Sequence, residues 1–176
     1  MEGDTINTEV LALTYGALVR QLLADLSDIE SVNSRLKQMG NNIGMRLIEE
    51  FLAKTGVDKC SSFEATAKTI AEKAFPMFLG IKGAVRPVDS DQSGKECLIV
   101  LREIPLAEFV EIPSRYQGLK YCNLVAGVVE GALGRVNMSV KCDMVKDMLC
   151  GAQEYELSLK LLQDVPAEVY PFDEHD

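Results

Sequence analysis

The chain has no tryptophan and one histidine, His175, next to its last residue. A single histidine near the end excludes a hydrolase built on an imidazole base and leaves no histidine set for zinc. The five cysteines, at 60, 97, 122, 142 and 150, contain no C-x-x-C pair, so neither a zinc ribbon nor a dithiol redox motif is present. The opening residues lack the charged and apolar regions of a secretory signal, and the thiols are therefore expected to stay reduced in the cytosol. No phosphate loop, G-x-G-x-x-G fingerprint, G-x-S-x-G elbow or H-E-x-x-H pair occurs, which removes conventional metabolic catalysis. The longest apolar run, Leu124 to Val136, is broken by Glu130 and Arg135 and falls short of the about 20 residues of a spanning helix. Positive charge is scarce too: 18 Lys and Arg against 27 Asp and Glu give a net charge of −9. That balance argues against nucleic acid as a partner and against a basic membrane-binding face, unless scattered residues such as Lys54, Lys59, Lys68 and Lys73 converge on folding.

What remains is a chain of 176 residues, 47% hydrophobic, enough for one domain spanning 1–176 with a full core. Helical spacing of Val10, Leu11, Leu13, Ala17, Leu18, Leu22 and Leu23 predicts a first helix from about Asn7 to Leu26. A second runs from near Ser31 through Leu52, with Gly40 and Gly44 inside it; the apolar stripe stays in phase through both glycines, which favours close approach of another backbone over a bend. A further helix is expected from Tyr121 to Arg135, where Gly127-x-x-x-Gly131 reads as a tight packing face. Ala84 to Val88 is a weak strand, and a polar turn leads into Lys95 to Arg102, whose five consecutive apolar residues suit a strand buried on both faces. Alternation from Val136 to Val145 and from Tyr155 to Leu161 predicts two more antiparallel strands. The expected fold is α+β, with helices packed on one face of an antiparallel sheet built from two hairpins. From about Val165 the acidic, proline-bearing end reads as a flexible tail.

The most informative segment is GVDKCSSFEATAKTIAEKAFPMFLGI, from Gly56 to Ile81. Ser61-x-x-Glu64 has the form of a capping box, which makes Ser61 the N-cap and places Cys60 one residue outside a helix. There the orphan N–H groups, the helix dipole and Lys59 would favour a thiolate, so Cys60 is the candidate nucleophile. Phe63, Ala67, Ile70, Ala74 and Phe78 follow at steps of four, three, four and four, a single helix face with small residues in the middle. From Ser62 to Met77 the helix rises roughly 23 Å, close to an extended sixteen-carbon chain. Pro76 removes one helical hydrogen bond and predicts a kink or a fresh short turn. On spacing alone, an ordinary amphipathic helix preceded by a buried cysteine is the favoured account of the pattern.

The segments LTYGALV at Leu13, MGNNIGMRLIEEFLA at Met39, the Cys60 segment ending in AFPMFLGI, and YCNLVAGVVEGAL at Tyr121 resemble the Bet-three type of small subunit of TRAPP, the transport protein particle. The likeness spans about Thr8 to Leu162. It implies helices enclosing a hydrophobic acyl channel against the sheet, with palmitate bound to Cys60 as a thioester. The implied channel lining is Phe63, Ala67, Ile70, Ala74, Phe75 and Phe78, with Ala74 where the wall must stay small. The resemblance also implies pairing through the first helices as a homodimer or heterodimer with other TRAPP small subunits, a surface to which Leu11, Leu18, Leu22, Ile43 and Leu47 are assigned. Further implications are vesicle tethering between endoplasmic reticulum and Golgi, peripheral membrane contact, and support of nucleotide exchange on a Rab-type GTPase by the assembly rather than by this chain as an enzyme. The acidic tail would then reach the GTPase nucleotide site. Pro76 departs from the basic residue expected there in many relatives, which weakens an anionic-membrane role for that face. Two alternatives stay open from the residues: a soluble carrier that exchanges acyl cargo without a covalent bond, and a self-acylating cysteine enzyme that turns over.

Overall fold

A computed structural model describes residues 7–57, 60–88 and 93–164. Two long helices open the chain, α1 (Thr8–Asp25) and α2 (Ile29–Thr55). Each starts where a short polar side chain satisfies an orphan N–H: the Glu9 amide donates to Asn7 Oδ1 and the Ser31 amide to Asp28 Oδ1, both at 2.8 Å. A composite rod follows, made of α3 (Phe63–Thr69), a π-helical segment (Ile70–Ala74) and α4 (Phe75–Leu79). Strands β1 (Gly83–Pro87) and β2 (Glu96–Leu101) come next, then short 3-10 turns, α5 (Asn123–Arg135), β3 (Met138–Lys146) and β4 (Tyr155–Asp164).

The sheet is antiparallel in the order β1-β2-β4-β3, so two sequential hairpins lie side by side through the β2–β4 pairing. This is the α+β arrangement that the helical and alternating patterns predict. Cys97 and Cys142 both stand opposite Leu159, and Ile99 and Met144 both stand opposite Leu157. These rows are buried with Phe63, Ala67, Ala71 and Phe75 from the rod and with Val125, Ala126 and Val129 from α5 in one apolar cluster. The third strand starts two residues later than alternation suggests. Val136 caps α5 and Asn137 takes a left-handed conformation, φ 59°, because the chain must reverse from helix into strand and asparagine tolerates that region better than most residues.

Helices α2 and α5 meet backbone to backbone. A Cβ at Gly40 would run into the carbonyl oxygen of Leu124, and one at Gly44 into that of Val128. From the other side, a Cβ at Gly127 would strike the Lys37 carbonyl and one at Gly131 the Asn41 carbonyl. Both glycine pairs read from the sequence are therefore halves of one contact. Buried side chains lock its register: Asn33 Nδ2 donates to the Gly118 carbonyl at 2.9 Å, the Lys120 amide donates to Asn33 Oδ1 at 2.7 Å, and Asn123 Nδ2 donates to the Asn33 carbonyl at 2.8 Å. Farther along, Lys37 Nζ lies 2.7 Å from Glu130 Oε1 and 3.1 Å from Asp143 Oδ1, and the same Glu130 oxygen accepts the Cys142 amide at 2.7 Å. A helix carboxylate thus occupies an amide of edge strand β3 that would otherwise be open to another chain.

Gly127→Ala is expected to lower stability by about 1–3 kcal/mol through overpacking, reversing the gain of up to ~1 kcal/mol that alanine normally brings to a helix. Gly134→Ala, on the same helix with nothing within 4 Å of the new Cβ, is expected to be neutral or stabilising. Thermal melts of the two variants, followed by circular dichroism, check the opposite signs.

Candidate functional site

The N-cap before α3 is Ser62, not Ser61. Ser62 is extended, φ −154° and ψ 167°, and its Oγ accepts the Ala65 amide at 3.1 Å. Two adjacent serines offer two capping registers, and Glu64, the residue that would complete the Ser61 box, instead pairs with Lys68 one turn on at 2.6 Å. Cys60 therefore lies one residue farther from the helix than the spacing suggests. Its half-buried thiol meets Thr69 Oγ1 at 3.7 Å rather than the orphan amides of the first turn. The expected help from Lys59 falls on a residue outside those described.

The rod changes pitch at Ile70. The Phe75 amide donates to the Ile70 carbonyl, five residues back, which marks the π turn. Pro76 supplies the reason: it has no N–H to continue the ladder, and its ring would press on the carbonyl four residues earlier in a regular α-helix. Widening the turn relieves that clash, and a new short helix starts with proline in its first turn. The consequence is a change of phase. The fully buried row runs Phe63, Ala67, Ala71, Phe75 at uniform steps of four, whereas Ile70, Ala74 and Phe78 are half-buried. Ala71 was not singled out by helical spacing, and Pro76 was the signal that could have found it. Ala71 faces β1 at close range: a Cβ on Gly83 would come within 3.2 Å of Ala71 Cβ and 2.9 Å of Leu101 Cδ2. Small residues on both partners let the rod settle onto the sheet.

The thiols divide by environment. Cys122 and Cys142 are sealed in the core, and burial pushes both well above the ordinary thiol range. Cys150 is exposed, but partial burial and the nearby Asp147 carboxylate also raise it. Cys97 is buried in the sheet. Cys60 is the half-buried thiol, in the loop that precedes the apolar helical row along the chain.

Residues assigned to a partner surface scatter. Leu11, Leu18 and Leu22 are partly buried against the chain's own core, Leu47 is half-buried and Ile43 is exposed. The large apolar side chains that α1 leaves exposed are Val10 and Leu13, at 57% and 61%, and Phe109 is 61% exposed in the loop after β2. Leu13, Ala17 and Phe109 share the wall of one shallow groove with Arg20 and Gln21. Phe109 lies in the proline-flanked connection that spacing could not place. Among the described residues no group of three His, Cys, Asp or Glu is placed to hold a metal, and no helix is long and apolar enough to cross a membrane.

Fold and site together define an α+β protein that lays one small-residue apolar rod, preceded along the chain by a half-buried thiol, along a four-stranded antiparallel sheet. A model of the transport protein particle (TRAPP) component family matches residues 11–160. Trafficking protein particle complex subunit 3 of Dictyostelium discoideum is 47% identical over 96% of this chain and 89% of its own length. Transport protein particle subunit bet3 of Schizosaccharomyces pombe is 40% identical over 97% and 92%. The crystal structure of a trafficking protein particle complex subunit 3 from Naegleria fowleri, covalently bound to palmitic acid, superposes with a TM-score of 0.85 at 40% identity, covering 93% of this chain and 99% of that one. The chain belongs to the TRAPP component family, and its similarity is to subunit 3 of that particle.

Because Ala71 is sealed against β1 and Ala74 is not, Ala71→Leu is expected to destabilise the free protein by about 1–3 kcal/mol. Ala74→Leu is expected to stay within about 0.5 kcal/mol of the parent, as substitutions outside the packed core usually do. Denaturant melts of the two variants measure the difference.

Proposed function

We propose that this chain is a core subunit of a TRAPP assembly in which Cys60 carries a palmitoyl group as a thioester and the acyl chain is held as part of the hydrophobic interior. The observation that carries the reading is a half-buried thiol in the loop that precedes, along the chain, the buried row Phe63, Ala67, Ala71, Phe75, in a chain that superposes on a relative with covalently bound palmitic acid. The residue types fit such a group: the row contains no charged side chain, and its two middle members are alanines. Phe63, Ala67 and Phe75, with Ile70, Ala74 and Phe78 on the half-buried flank, are the residues that would hold it. When bound, the acyl group supplies apolar surface rather than reactivity. Burying about 14 methylenes at roughly 0.8 kcal/mol each is worth about 11 kcal/mol gross, before ordering of the chain is subtracted.

Family membership supports an assembly role. The chain pairs with itself or with other TRAPP small subunits through α1 and α2, where Leu11, Leu18, Leu22, Ile43 and Leu47 contribute together with the exposed Leu13 and Phe109. Nucleotide exchange on a Rab-type GTPase belongs to the assembled complex and not to this subunit as an enzyme. Its place is the cytoplasmic face of the endoplasmic reticulum and cis-Golgi, in vesicle tethering with peripheral membrane contact. The C-terminal tail, proposed to take part in exchange, lies outside the described residues. One domain carries all of this.

Intact mass of the protein from cells, before and after hydroxylamine, tests the attachment. The expected result is loss of a palmitoyl mass on treatment and no such mass in Cys60→Ser. Acylated protein is expected to melt at least about 5 °C above Cys60→Ser, since even a few kcal/mol shifts a domain of this size by that much. Ala74→Leu is expected to lower acyl occupancy while the domain stays folded. A hydroxylamine-insensitive mass, or equal melting temperatures, would falsify the acyl-core reading.

A further inference from the structure

Thr69 closes α3, and its hydroxyl oxygen is the polar contact of the Cys60 thiol at 3.7 Å. The one proton of that hydroxyl is donated to the Ala65 carbonyl, 2.9 Å away, in the back-bond to the preceding turn that helical threonine commonly makes. With this proton committed, the thiol is the donor and Thr69 Oγ1 the acceptor. Threonine is stiff at χ1, so the oxygen is held in place by the helix itself. Both side chains are half-buried, which limits competition from water. The contact joins the loop before the cap to the last residue of α3, and so fixes where the thiol points.

We propose that Thr69 is a positioning residue for acylation of Cys60, orienting the thiol first and then donating a hydrogen bond to the carbonyl oxygen of the thioester. This rests on Cys60 being the attachment point. The acyl donor is a long-chain acyl-CoA, itself a thioester. In the transfer the bond from Cys60 Sγ to the acyl carbonyl carbon forms, the bond from that carbon to the CoA sulfur breaks, and the thiol proton ends on the CoA sulfur. No oxidant or reductant is needed. Once acylated, Sγ has no proton to give, and the nearest new polar atom is the thioester oxygen, an acceptor. The Thr69 hydroxyl then turns from Ala65 to meet it. Releasing Ala65 orphans nothing, because a helical carbonyl in that position also receives the amide four residues on.

Full-length protein, Thr69→Val and Thr69→Ser are compared with palmitoyl-CoA as the probe, with Cys60→Ser as the control for site. Valine keeps the branched shape and removes the hydroxyl; serine keeps the hydroxyl. Initial acylation rates from intact mass are expected to fall about fivefold in Thr69→Val, the worth of one ordinary hydrogen bond, and to return to within about twofold of the parent in Thr69→Ser. Infrared spectra with a carbonyl-labelled palmitoyl group supply a readout that a purely structural role would leave unmoved. The thioester carbonyl band is expected at lower frequency in the parent and Thr69→Ser than in Thr69→Val. Equal rates and equal band positions overturn the role of Thr69 while leaving acylation of Cys60 standing. A slower Thr69→Val with an unmoved band and no rescue by serine also overturns it, since it reports altered packing. A parent chain that takes no acyl group, or takes it equally in Cys60→Ser, overturns both this role and the attachment site. Melting temperatures of the unacylated variants, expected to agree closely, separate folding defects from the rate effect.

Discussion

The contact between α2 and α5 is the constraint to which the rest of the molecule is referred. Four glycines, two from each helix, face carbonyl oxygens of the opposing helix so closely that a methyl group at any of them would collide with backbone. Each glycine in a helix interior costs about 1 kcal/mol relative to alanine, and these sites tolerate that cost because the approach brings two backbones into dispersion contact and weak Cα–H···O contact along several turns. Asn33 and Lys37 then fix the sliding register with buried or half-buried hydrogen bonds to Gly118, Lys120, Asn123, Glu130 and Asp143. Since Glu130 also binds the amide of Cys142, the helix pair sets the position of β3, and β3 aligns the sheet through β4.

Against this rigid half stands the rod from Phe63 to Leu79, which contacts β1 and β2 through small side chains. Its pitch is governed by one residue. Pro76 converts what helical spacing treats as a continuous α-helix into α, π and α segments, and that change rotates Ala71 and Phe75 fully inward while leaving Ala74 and Phe78 at the margin. The same rod carries the Cys60–Thr69 contact, at the C-terminal end of α3. A proline that serves no chemistry of its own thus determines which residues of the rod face the interior. The thiol's surroundings are set by the opposite end of α3, through the choice of Ser62 over Ser61 as cap.

Much of the architecture was legible from pattern. Stripes at three and four predicted α1 and α2, a small-residue face marked α5, a polar turn between a weak strand and a run of five apolar residues predicted the first hairpin, alternation predicted the second, and an apolar stripe running in phase through Gly40 and Gly44 favoured close approach. These readings succeed because periodicity reports which face of an element is buried, a property that tertiary contacts reinforce. The site was legible only in outline. Cys60 and the small-residue row were visible as types at a spacing, but the cap register, the π turn and the pairing with Thr69 were not, since each depends on a choice among nearly equal local options. Ser61 and Ser62 are both competent caps, and Glu64 has two partners within one turn. The exposed Phe109 lay in a proline-flanked connection with no period to read.

By itself the sequence determined the fold class, the order of elements, the family and the cysteine of interest, because hydrophobic period, turn chemistry and motif residues are properties of the chain read in one dimension. Only the tertiary structure decided that Gly40, Gly44, Gly127 and Gly131 form one interface, that Ala71 rather than Ala74 meets Gly83, and that the Cys60 thiol rests on Thr69. Those outcomes depend on which surfaces meet and at what separation, and a difference of one residue in cap or one in helical pitch turns a side chain from the interior to its edge.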